Sequence, residues 1–110
     1  MEIQSQEYKR VAVVTISGRI DSATSAEFEA ALQDAIAKGK RNLILDMSQV
    51  EFLSSSGLRV LVTTLKTLRK TGGDICIAQP SQRARDAIDI AGLDVLFKSF
   101  DDREAAIASF

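Results

Sequence analysis

The chain has 110 residues, with 14 Lys+Arg against 15 Asp+Glu, 45% hydrophobic residues, no His, no Trp, one Cys and one Pro. That is the size of one globular domain, burying roughly 65% of its unfolded surface, and its near-neutral, apolar-rich composition excludes an intrinsically disordered chain. Without histidine there is no imidazole base, no Ser-His-Asp triad and no His-ligated metal, and a lone cysteine makes neither an internal disulfide nor a thiolate zinc site.

A formal net charge of −1 argues against nucleic acid as a partner. The start Met1-Glu2-Ile3-Gln4-Ser5-Gln6-Glu7 is too polar for a secretory signal. No run approaches the ~18 apolar residues that cross a bilayer. The expectation is a soluble cytoplasmic domain, residues 1–110, with no membrane association.

Residues from Ile3 to Tyr8 read as an edge strand, with Lys9-Arg10 as the hairpin turn. Val11 to Ile16 is a β-branched run closed by Ser17-Gly18, hence a buried strand. Thr24-Ser25-Ala26-Glu27 has the pattern of a capping box, followed by Phe28, Leu32, Ala35 and Ile36 at helical spacing and by Gly39 past the helix end. Asn42 to Met47 is too short for a helix and reads as a central strand, with Ser48 to Leu53 as a connector carrying apolar anchors. A helix then opens at Ser54-Ser55-Ser56-Gly57. Its predicted buried stripe is Leu58, Leu61, Val62, Leu65 and Leu68, and Gly72-Gly73 ends it.

Ile75 to Ala78 is a further strand, stopped by Gln79-Pro80. Ser81 caps a helix with Ala84, Ala87, Ile88 and Ala91 on one side and Gly92 at its end. Val95 to Phe100 holds a last short strand. Asp101 or Asp102 starts a final helix with Ala106, Ile107 and Phe110 as apolar positions. The order β-β-α-β-α-β-α-β-α predicts an α/β fold, in which right-handed crossovers build a mostly parallel sheet and the opening hairpin makes it mixed.

Three consecutive hydroxyls at a helix start are more than capping requires. One Ser suffices to cap, so an anion-related or modifiable site stands beside the simple cap as a reading. Gly57 lacks a side chain in the first turn and so leaves the backbone open to close approach. The segment lacks the leading Gly and the Lys-[Ser/Thr] of a phosphate-binding loop. It also has no Gly-x-Ser-x-Gly elbow and no Ser-x-x-Lys spacing, so a nucleophilic serine enzyme is not supported.

Asp21 reads as a turn or helix cap, and Asp46 as a turn-forming residue at a strand end. A small-molecule site built on both carboxylates ranks last, because nothing in the sequence brings them together. Cys76, between Ile75 and Ile77, reads as an inert packed thiol. The basic groups near the helix ends, Lys38 with Lys40-Arg41 and Lys66 with Arg69-Lys70, read as dipole complements and solvated charge.

Taken together, Gly18-Arg19-Ile20-Asp21, then Leu43 to Met47 ahead of Val50-Glu51-Phe52-Leu53, then Ser54-Ser55-Ser56-Gly57-Leu58 and Gly72-Gly73 resemble the STAS domain. The resemblance is to its stand-alone anti-anti-sigma factors (anti-sigma factor antagonists) and covers essentially the whole chain. It implies the STAS fold, a mixed, mostly parallel sheet with four helices, and a regulatory protein that is not an enzyme and needs no cofactor. In that family the motif is Asp-Ser-[Ser/Ala]-Gly-Leu, and its first Ser is phosphorylated by a partner kinase. The implied phosphoacceptor is Ser55, with Ser54 and Ser56 as alternatives, because Ser54 stands where Asp is usual.

Asp21 matches the family's loop acid. The implied partner surface comprises Asp21, Ser54, Ser55, Ser56, Gly57 and Leu58. The implied partners are an anti-sigma factor serine kinase of the histidine-kinase-like ATPase type and a PP2C-type phosphatase. The alternative reading is an adaptor subunit of a signalling or lipid-transport complex that ignores phosphorylation.

Overall fold

The computed structural model describes residues 1–8 and 11–110. The expected turn at Lys9-Arg10 lies outside the described residues. The strands are β1 (Glu2–Tyr8), β2 (Val11–Ile20), β3 (Asn42–Leu53), β4 (Asp74–Ala78) and β5 (Lys98–Phe100). The helices are α1 (Ser25–Ala37), α2 (Ser55–Arg69), α3 (Gln82–Ile90) and α4 (Arg103–Ala108), with a 3₁₀ turn at Leu93–Val95.

The strands lie side by side in chain order, β1-β2-β3-β4-β5. β1 is antiparallel to β2, and the other pairs are parallel. Each crossover therefore advances one strand in the same direction. Crossovers of one hand then place every connecting helix on the same face.

The alternation along the strands sorts the core into two faces. Ala12, Val14 and Ile16 of β2, Leu43, Leu45 and Met47 of β3, and Ile75 and Ile77 of β4 pack with α1, α2 and α3 in one large cluster. Val11, Val13, Ile44, Cys76 and Ala78 point the other way and are covered by Ala106 and Ile107 of α4, with Phe100 beside them. Burial of Cys76 under α4, reinforced by the charge of Asp74, pushes its thiol up to about 12, against a smaller opposing pull from Ser109 and Lys98.

The structure corrects several boundaries. β2 runs on through Ser17-Gly18 to Ile20, and β3 runs to Leu53, so Ser48 to Leu53 is strand and not a connector. The reason is a pair of register shifts. Thr15 pairs with Asp46 but Ser17 with Gln49, and Gly18 pairs with Val50 but Arg19 with Phe52. Each shift inserts an extra residue into β3, and Gly18 answers with φ +100°, open to glycine alone at little cost.

In α2 the buried set includes Val60 and Thr64, while Leu58 and Val62 are only partly buried. The Thr64 hydroxyl satisfies itself on the Val60 carbonyl at 2.8 Å. The last strand holds only Lys98–Phe100, because Val95 sits in the 3₁₀ turn and is 83% exposed. Ala91 and Phe110 are exposed rather than packed.

One polar network crosses the reverse face. Arg103, at the start of α4, donates through Nε to Asp46 Oδ2 at 2.7 Å and through a terminal nitrogen to Thr15 Oγ1 at 2.7 Å. Asp46 also accepts from the Ser48 amide at 3.0 Å and the Gln79 side chain at 3.4 Å. Asp46 is buried, and these donors supply the hydrogen bonds that water would otherwise give its carboxylate.

Removing the guanidinium in Arg103→Ala leaves a buried carboxylate without its cation. The expected loss is ~2–3 kcal/mol in a denaturant melt, held below the fully buried range because Arg103 is partly exposed. The same substitution loosens α4, so the Cys76 thiol reacts faster with a thiol reagent at pH 8. Labelling as slow as in the parent protein would refute that role of Arg103.

Candidate functional site

The end of β2 and the end of β3 meet where β4 no longer reaches. β4 pairs with β3 only from Asn42 to Asp46, whereas β2 accompanies β3 to Leu53. The Ser54 amide donates to the Ile20 carbonyl at 2.9 Å, which seats the start of α2 beside the turn that follows β2.

Ser54 is the N-cap of α2, with extended backbone (φ −85°, ψ 171°) and a hydroxyl that accepts the Gly57 amide at 3.3 Å. Its Oγ also lies 2.7 Å from Ser56 Oγ. Ser54 and Ser56 are half-buried and occupied with each other, while Ser55 is exposed. Among the described residues the Ser55 hydroxyl has no hydrogen-bond partner. The first turn of α2 carries no acidic residue, so its unpaired amides and partial positive charge are not offset locally.

Gly57 corrects an expectation. It is buried, and a Cβ there would come within 2.7 Å of Ile20 Cγ2 and 2.8 Å of Leu53 Cδ1. The room that glycine leaves is filled by this chain's own core and is not open to a partner backbone. Leu58 likewise packs partly into the core. The surface offered by the segment is therefore Ser55, flanked by Ser54 and Ser56.

The capping box at Thr24 is also corrected. The backbone of Thr24 is already helical (φ −111°, ψ −9°), and its hydroxyl makes no cap bond to the helix. Instead it accepts the Asp21 amide at 2.9 Å and lies 2.8 Å from the Arg19 carbonyl. Asp21 does the capping, since its Oδ1 accepts the Ala23 amide at 3.0 Å and the Thr24 amide at 3.2 Å. Partial burial opposes ionisation of Asp21. The Ala23 amide, the Thr24 hydroxyl and amide, and the Arg19 guanidinium at 3.7 Å together outweigh it, so the carboxyl titrates below its ordinary value. Arg19 is held in turn over the Phe52 ring, 4.5 Å from its centroid.

Asp21 and Asp46 are not brought together. Thr15 is the strand partner of Asp46, and Asp21 follows six residues later, roughly 15–20 Å along the strand direction. Each has its own donors, and among the described residues no group of three or more His, Cys, Asp or Glu is placed to hold a metal. Two surface clefts lie elsewhere. One, of about 280 Å³ between β1 and α1, includes Ile3, Val14 and Ala31, and one of about 300 Å³ beside α3 includes Ile88 and Phe97. Neither is lined by a residue of the serine segment. No described helix is long and apolar enough to cross a membrane.

The STAS domain family matches residues 2–106, and the chain belongs to that family. It is 34% identical over 101 residues to the anti-sigma-F factor antagonist RsfB of Mycobacterium tuberculosis, covering 92% of this chain and 82% of RsfB. Its fold is similar to a crystal structure of an anti-sigma factor antagonist from Mycobacterium paratuberculosis, with TM-score 0.88 and 30% identity over 98% of this chain and 92% of that one. It also shares the fold of the Bacillus protein SpoIIAA. The unphosphorylated form gives TM-score 0.82 at 22% identity (96% and 93% of the two chains), and the phosphorylated form gives 0.76 at 21% (98% of both). Anti-sigma factor antagonists of the STAS family are regulatory binding proteins, not enzymes.

Two substitutions check this geometry. Gly57→Val forces Ile20 and Leu53 aside and is expected to cost about 2 kcal/mol or more, read as a lower denaturant midpoint. Asp21 has a lowered carboxyl value in the fold, so its contribution is complete above about pH 4 and is lost as pH falls through the folded value. Asp21→Asn keeps the acceptor oxygen but removes this titration. Its melting temperature should fall less steeply than the parent's below pH 4 and match it more nearly near pH 7 than Asp21→Ala does.

Proposed function

We propose that this chain is an anti-sigma factor antagonist that works as a phosphorylation-controlled partner switch. Unmodified, it binds an anti-sigma factor of the histidine-kinase-like ATPase type, and the sigma factor is freed. The kinase then transfers the γ-phosphoryl group of ATP to Ser55 Oγ. The Oγ–P bond forms as the bond to the β,γ-bridging oxygen breaks, the hydroxyl proton is released and ADP leaves. A PP2C-type phosphatase hydrolyses the ester and resets the protein. ATP and magnesium belong to the kinase, and this chain supplies the accepting hydroxyl.

The observation that carries this reading is the asymmetry among the three serines. Ser54 caps Gly57 and touches Ser56, while Ser55 alone of the three is both exposed and without a hydrogen bond among the described residues. A hydroxyl at Ser54 performs the cap expected of the family's Asp at that position, since Ser and Asp serve alike at N-caps. The departure from the motif therefore leaves the acceptor at Ser55. Asp21, whose carboxylate braces the adjoining turn, supports the same surface.

A neutral hydroxyl enters an interface at little cost. A phosphoserine brings about −1.5 to −2 charges. The start of a helix offsets about 0.3–1 kcal/mol of that in the unbound protein. A partner surface with no matching cation must strip water from the rest, at several kcal/mol. A net loss of ~4 kcal/mol weakens binding about 1,000-fold.

Incubated with its cognate anti-sigma kinase and ATP, the parent protein should gain one phosphate by intact mass, Ser55→Ala none, and Ser54→Ala and Ser56→Ala one each. Phosphate gain by Ser55→Ala would move the site. Ser55→Asp should bind the kinase at least ~10-fold more weakly in calorimetry while melting within ~0.5 kcal/mol of the parent. Equal affinity would remove the charge-based account.

A further inference from the structure

α2 carries a one-signed charge pattern. Residues 55–70 hold Arg59, Lys66, Arg69 and Lys70 and no acid, while the remainder of the chain holds 10 Lys+Arg and 15 Asp+Glu. Arg69 is engaged with Asp74 at 3.6 Å and with the Leu96 carbonyl at 3.4 Å. The side chain of Arg59 is exposed and has no hydrogen-bond or ion-pair partner among the described residues. It stands four residues after Ser55, on the same outward strip of the helix, since both are exposed while Val60 and Leu61 beside it are buried. Side chains at this spacing are neighbours, with Cβ atoms roughly 6 Å apart. The favourable order for an ion pair is anion first and cation second, which is the order here.

Resting on the switch assigned above, we propose that Arg59 is the internal counter-ion of phosphorylated Ser55. In the unmodified protein the guanidinium extends from the docking face. Once Ser55 bears a phosphate, Arg59 folds back one turn and grips it with two parallel N–H donors, a geometry that a planar fork suits and an ammonium does not reproduce. The modification thereby changes the face twice, by adding an anion and by withdrawing a cation from reach of the partner. The carboxylate of Asp21, on the turn after β2, is already matched by Arg19 at 3.7 Å and does not compete for Arg59.

The test installs phosphoserine at position 55 of the full chain by genetic-code expansion, without any kinase. A ³¹P NMR titration then reads the second ionisation of the phosphate in the parent, Arg59→Gln and Arg59→Lys proteins. The phosphate should ionise a few tenths of a pH unit lower in the parent than in Arg59→Gln, with Arg59→Lys between them, and 0.5 M salt should shrink the difference. Phosphorylation should also raise the melting temperature more in the parent than in Arg59→Gln. Superimposable titrations of parent and Arg59→Gln would overturn the pairing. Because the phosphoserine is incorporated during translation, a Ser55 that no kinase modifies would defeat the switch assignment and leave this pairing intact, whereas an unshifted titration would defeat the pairing alone.

Discussion

The pairing of β3 with β2 beyond the reach of β4 is the constraint on which the exposed serine depends. Five residues of β3 are paired with a strand on both edges; from there to Leu53 its strand partner is β2, and Ser81 holds the other edge through the Met47 carbonyl at 3.1 Å and the Val50 carbonyl at 2.7 Å. That overhang ends where the Ile20 carbonyl takes the Ser54 amide. Ile20 and Leu53 then close on Gly57 from two strands, so the first turn of α2 is fixed by core packing and by a backbone hydrogen bond at once. The serine segment is the rigid rim of a sheet and not the tip of a loop.

Elements written in local sequence were legible. Ser81 reads as a cap and accepts the Ala84 amide at 3.1 Å, because the residues that make a cap lie within one turn. The β-branched run from Val11 reads as a strand for the same reason. The end of β3 was not legible, because two extra residues in that strand break the period of two on which a strand reading relies. Ser48 and Gln49 interrupt the apolar run, and the anchors Val50 and Leu53 then fall three apart.

The site divides along the same line. The serine cluster and Asp21 stand out by residue type, and the family resemblance orders them. Two facts have no signature in a single sequence. The contact of Gly57 with Ile20 joins residues 37 apart, and the Asp46–Arg103 pair joins residues 57 apart. Asp46 gave a faint signal, as a carboxylate inside an apolar strand on the face shared by Thr15, but only the placement of α4 names its partner. Asp21 caps the turn as its residue type suggests, whereas Thr24 matched the capping-box pattern without making the bond, because the chain already turns helical before it.

This rigidity bears on how such a switch operates. A device that moves needs an element with two resting places, whereas the start of α2 is held by the packing of Gly57 under Ile20 and Leu53 and by the Ser54 amide bond. A phosphate on Ser55 projects from the exposed side of that turn and displaces nothing beneath it. In the proposed switch the helix start and Arg59 would offset the added charge in the unbound protein, where water completes its solvation. At an interface the water is removed while the charge remains, and the cost falls on the complex instead of on the fold. Rigidity is what makes that division possible. Were the turn free to rearrange, it could bury or redirect the phosphate, and part of the penalty that drives the partners apart would be lost.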